Sequence, residues 1–139
     1  MSDWYTDTVK AALEIVPVEW EGSLLIKKKV YMRLVKYKDV WGTKFRDSPS
    51  DELYGGQAIS THQAQALTEK ALREHLDARN IQVQLWKPGD YIIYETVLDQ
   101  HWCGESESWA KDWGHETHYS SYLEALAVGV VGRNLEGEE

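Results

Sequence analysis

The sequence predicts an α+β fold, an antiparallel sheet with helices packed on one face in the order α-β-β-α-β-β-α, and three observations predict it. Two stretches open with Ser followed by Gln or Glu at the capping-box spacing and continue with apolar residues at helical intervals. A Pro88-Gly89 pair joins two runs with strand composition. A basic, β-branched and aromatic run in the first half has the period of an extended strand. At 139 residues the chain is expected to fold as one domain, burying roughly two-thirds of the surface its unfolded form exposes. The acidic tail at 136–139 is expected to fray.

The first helix is expected over Asp3 to Ile15, with Trp4, Thr8, Val9, Ala12 and Leu13 near one face, and Pro17 ends it. Glu21-Gly22 reads as a turn into LLIKKKVYMRLVKY. As a strand, this run puts Val30, Met32 and Leu34 on one face, and Lys27, Lys29, Tyr31, Arg33, Val35 and Tyr37 on the other. Val40 to Phe45 is its expected partner, and the polar RDSPSDELYGGQ that follows reads as a loop.

Ser60 and Gln63 open a helix that runs to about Arg79 with the stripe Ala64, Leu67, Ala71, Leu72 and Leu76, and Asn80 is its left-handed terminator. Ile81, Val83 and Leu85 alternate with glutamines as a half-solvated strand, and YIIYETVL returns as its hairpin partner. No period holds from Asp99 to His118, which reads as a loop carrying Trp102, Trp109 and Trp113. Ser121 with Glu124 opens the last helix, whose buried side holds Leu123, Leu126, Ala127, Val130 and Val131.

The helix THQAQALTEKALREHL, the hairpin IQVQLWKPGDYIIYETVL and the closing YSSYLEALAVGVV together resemble many small bacteriophage and prophage proteins of the accessory kind. The resemblance covers about half the chain, and it implies a non-catalytic accessory factor acting in the host cytoplasm. It carries over no functional residue.

Cys103 is the only cysteine, so no intrachain disulfide can form and a reducing, cytoplasmic setting is expected. The opening MSDWYTDTVK lacks the pattern of a secretion signal, and no apolar run approaches the ~18 residues of a membrane span. The net charge of -8 argues against nucleic acid as a partner, although an acidic surface that imitates nucleic acid is compatible with it. The charge is uneven: eight cations against Asp39 alone give residues 23–46 a net +7, which leaves -15 for the rest. Such a ribbon either balances acidic neighbours, in this chain or in a homo-oligomer, or binds a small anionic ligand.

No P-loop, dinucleotide fingerprint or Gly-x-Ser-x-Gly elbow is present. His101, Cys103, His115 and His118 form the one set with metal-ligand chemistry, but their spacing matches neither half of a usual zinc motif, so no metal or other cofactor is expected. Cys103 as a nucleophile would need a lowered pKa, which Glu105 and Glu107 would oppose. His75 reads as a packed helix residue and His62 as a solvated one.

Two surfaces remain as binding candidates. The first is the strand face with Lys27, Lys29, Tyr31, Arg33 and Tyr37, where cations alternate with aromatics and suit a nucleotide-like anion. The second is the loop with Trp109 and Trp113, whose rings are costly to expose, whereas Trp102 beside the hairpin end is expected to be buried. The function expected is therefore non-enzymatic: a binding protein that inhibits a host protein, with sequestration of a nucleotide-like molecule and a zinc protein or enzyme on the His/Cys loop as the alternatives.

Overall fold

The computed structural model describes residues 4–23 and 29–135. Lys27, part of the strand run before Lys29, the start of the first helix at Asp3, and the acidic tail at 136–139 lie outside the described residues. The described elements are α1 (Asp7–Ile15), β1 (Glu19–Ser23), β2 (Lys29–Tyr37), β3 (Val40–Arg46), β4 (Tyr54–Ile59), α2 (Thr61–Asp77), β5 (Ile81–Lys87), β6 (Asp90–Glu95), β7 (Gln100–Cys103), β8 (Ser108–Ala110) and α3 (Tyr122–Leu135). The class is α+β, but each half carries twice the expected strands, in two antiparallel sheets ordered β1-β2-β3-β4 and β5-β6-β7-β8. No helix among the described residues is long and apolar enough to cross a membrane.

The described chain gathers into two compact units that divide within α2: one holds Pro17 to Ala71, the other the residues up to Val16 and from Leu72 onward. In the first, Glu21 and Gly22 are not a turn. They lie in β1 opposite Tyr31 and Val30, and the Val18 carbonyl extends the pairing by accepting from Leu34 N–H at 3.0 Å. β3 pairs with β2 as expected. The polar segment also yields a strand, because Tyr54 to Ile59 pairs with β3, Ile59 opposite Trp41 and Gln57 opposite Thr43. Gly55-Gly56 disfavours a strand locally, so pairing supplies what composition lacks. Ser60 and Gln63 form the reciprocal capping box: Gln63 N–H donates to Ser60 Oγ at 3.1 Å and Ser60 N–H to Gln63 Oε1 at 3.0 Å.

In the other unit α1 starts later than the sequence suggests, after Thr6, whose Oγ1 accepts from Val9 N–H at 3.2 Å. The same hydroxyl donates to Glu124 Oε1 at 2.7 Å. Glu124 N–H donates to Ser121 Oγ at 3.1 Å, so only half of the second capping box forms and its carboxylate instead ties the starts of α1 and α3 together. α1 packs on α3, and α3 on β5 and β6. Ile81, Ile92, Ile93, Leu126 and Val130 are buried, as is Trp102 at 3% exposure. A Cβ at Gly132 would stand 3.0 Å from the Trp102 ring, so glycine is what lets α3 lie this close to β7.

The stretch from Asp99 to His118 is not one loop. β7 and β8 form a hairpin with Trp102 opposite Trp109, their rings 5.4 Å apart and edge to face. Before it, Glu95 is buried and accepts from Val97 N–H at 2.9 Å and Leu98 N–H at 2.7 Å, and Asp99 closes that turn at φ +56°. Asn80 is left-handed at φ +63°, as a helix terminator requires, and Gly89 at φ +75° suits the expected type II turn.

Candidate functional site

The candidate site grows from the end of the β5–β6 hairpin. Pairing is regular up to Leu85 opposite Tyr91 and then shifts, with Lys87 opposite Asp90, so Trp86 is the extra residue of a β-bulge. A bulge re-aims the side chain it carries. Trp86 stands 53% exposed, and its ring meets that of Trp113, 55% exposed, at 5.7 Å and 37°.

What holds Trp113 there is a set of polar contacts built around buried His101. His101, on β7 and 1% exposed, stacks against the Trp113 ring at 4.5 Å and 27°. Its Nε2 lies 2.8 Å from the Asp112 carbonyl, which can only accept, so Nε2 carries the hydrogen. Gly114 N–H donates to Glu116 Oε1 at 2.8 Å, and that oxygen lies 4.0 Å from His101 Nε2. The Gly114 bond is the main reason the Glu116 carboxyl is held down at about 2.

His118 closes the arrangement, with Nδ1 2.8 Å from Asp90 Oδ1 and Nε2 3.3 Å from Glu116 Oε2, while Trp86 meets its ring edge to face at 5.5 Å. Burial works against charge on this imidazole, but the Glu116 and Asp90 carboxylates outweigh it and raise the His118 pKa. Tyr119 then exchanges two backbone hydrogen bonds with Tyr91, at 2.8 and 2.9 Å. The loop bearing Trp113 is thus pinned to β6 through Asp90 and Tyr91 and to β7 through His101.

The four His and Cys side chains with ligand chemistry are spread through this arrangement: His101 and His118 are engaged as above, Cys103 is buried and His115 is exposed. Among the described residues no group of three His, Cys, Asp or Glu side chains is placed to hold a metal ion. The Cys103 thiol departs from the sequence argument, since hydrogen bonds from Ser106 lower its pKa although Glu105 opposes the shift.

The basic strand face is divided. Lys29 Nζ lies 3.3 Å from Glu21, and Arg33 lies 3.0 Å from Glu19, whose other carboxylate oxygen takes Arg46. Tyr31 is half-buried beside Trp20 and Arg46. Tyr37 stands 73% exposed at the hairpin tip, with the Lys38 ammonium 5.7 Å from its ring centre. Of the two loop tryptophans singled out from sequence, only Trp113 joins the exposed pair; Trp109 is half-buried against Trp102. Trp86 was not among the residues singled out from sequence. Its position beside Lys87-Pro88-Gly89, at a hairpin end too narrow to cover a ring on both faces, was the available sign.

Comparison with protein-family models, curated proteins and solved structures gives no match.

Proposed function

We propose that this chain is a non-catalytic binding protein that takes a protein partner on the Trp86–Trp113 platform. The observation that carries this reading is the indole pair itself: two rings, each about half exposed and 5.7 Å apart, Trp86 on the β5 bulge and Trp113 on a loop fixed by His101, Glu116 and His118. Exposed indoles forgo the burial that would otherwise stabilise the fold, and ring pairs anchored in advance lose little freedom on association. Tryptophan is also the residue type most enriched among interface hot spots. The histidines beside the pair support binding over catalysis, because their nitrogens face a backbone carbonyl and two carboxylates that orient the loop.

The resemblance to phage accessory proteins suggests a cytoplasmic host protein as the partner and inhibition as the consequence. The pairing of Lys29 and Arg33 with Glu21 and Glu19 supports charge balance within the sheet rather than an anion site on that face. The test is co-purification from a bacterial lysate with the tagged wild type, Trp86→Ala and Trp113→Ala in parallel. A discrete protein retained by the wild type and lost from both folded variants supports the platform. Equal retention by all three rules it out.

A further inference from the structure

A second surface, on the unit that holds β1 to β4, is independent of the tryptophan platform. Among the described residues β4 has β3 as its one strand partner and ends the sheet. Edge strands usually carry charges or proline that discourage further pairing, yet β4 reads YGGQAI, without either, and is exposed over most of its length. Its irregular pairing lies at the Tyr54 end, and Gln57, Ala58 and Ile59 keep regular register with β3.

Beside this edge runs a largely apolar groove lined by Val35, Tyr37, Val40, Gly42, Gly56 and Ala58, with Lys44 at its border. The hollow follows from residue size. A Cβ at Gly42 would stand 3.0 Å from the Gln57 carbonyl oxygen, a tight contact that the backbone would have to yield to, whereas a Cβ at Gly56 would meet nothing within 4 Å. Tyr37 and Val40 rise beside these small residues and are both exposed.

We propose that the outer edge of β4 takes an extended, acidic strand from a protein partner, one large apolar side chain of which seats over Gly56 and Ala58 in the groove. The open edge selects an extended backbone, and the groove selects one of its alternate side chains, as in strand addition generally. The charge follows from Lys44, which lines the groove with no acid among the other lining residues, and from Lys38 beside Tyr37 at the hairpin tip, whereas Arg33 and Arg46 are matched by Glu19. A second copy of this chain fits less well: its β4 would bring Gly56 and Ala58 to the edge, residues too small to fill the groove.

Fluorescence polarisation with a fluorescein-labelled peptide of about ten residues, alternating leucine and glutamate, tests this. The wild type and the Trp86→Ala/Trp113→Ala double variant should bind it alike and saturably. Binding should weaken by about tenfold or more for the same peptide with lysine in place of glutamate, or with alternate amides N-methylated. Ala58→Glu and Lys44→Glu should weaken it similarly, with circular dichroism identifying whichever variant keeps its fold. No saturable binding, equal binding of either control peptide, or full binding by a folded variant overturns the proposal. So does a wild-type dimer in sedimentation equilibrium that Ala58→Glu dissolves, since that outcome gives the edge to a second copy.

Discussion

Trp102, Trp109 and Trp113 stand close in sequence and face three different surroundings. Trp102 fills the space that Gly132 leaves on α3, so Trp102→Ala should cost about 3–5 kcal/mol in denaturant unfolding. Trp113 keeps half its ring in water, and Trp113→Ala should cost less than about 1 kcal/mol by the same measurement. Trp109, half-buried against Trp102, should fall between them. Equal losses for Trp102 and Trp113 would mean that Trp113 belongs to the core.

The grip on Trp113 should depend on pH. The His118 pKa is raised above its ordinary 6.5, so its contribution is complete below 6.5 and is lost as pH rises through the raised value. The Glu116 pKa is lowered from 4.5 to about 2, so its contribution is complete above 4.5 and is lost as pH falls towards 2. The loop from Asp112 to His118, with Asp90 and His101 facing these two groups, should therefore be held most firmly between pH 4.5 and 6.5. Amide exchange across Trp113 to His118, corrected for its intrinsic pH dependence, should show greatest protection there; protection that keeps rising towards alkaline pH would show that His118 is not a clamp.

Among the secondary elements, α2 and the β5–β6 hairpin were legible in the sequence because their determinants are local. The capping box, the spacing of the stripe, Asn80 and Gly89 each act within a few residues. Ser60→Ala should cost about 1 kcal/mol of stability, checked by chemical denaturation. β4, β7 and β8 were not legible for the opposite reason. Gly55-Gly56 has turn composition and becomes a strand only against β3, and three- or four-residue strands are too short to show a period. They hold through pairs such as Trp102 with Trp109, which join residues from opposite arms of a hairpin. Buried Glu95 was missed likewise, since its role appears only when Val97 and Leu98 N–H turn back onto it. Glu95→Ala strands both donors and should lower stability by about 1–3 kcal/mol for each that stays buried. The site was half visible: Trp113 stood out in a polar stretch, but the bulge that turns Trp86 towards it is a property of pairing.

At the scale of the whole molecule, part of the charge asymmetry read from sequence resolves, among the described residues, into ion pairs inside one sheet, where β1 supplies Glu19 and Glu21 to Arg33, Arg46 and Lys29. Exposed pairs of this kind stabilise weakly, so their arrangement says more about where a ligand is not held than about how the sheet is held. The outward investment of the other unit is the indole pair, and the strength of partner binding should follow it. With a partner isolated by the wild type, isothermal titration of the wild type, Trp109→Ala and the Trp86→Ala/Trp113→Ala double variant decides the matter. The double variant should lose about 2 kcal/mol or more of binding free energy while Trp109→Ala loses much less. An affinity unchanged in the folded double variant would place the partner elsewhere on the surface.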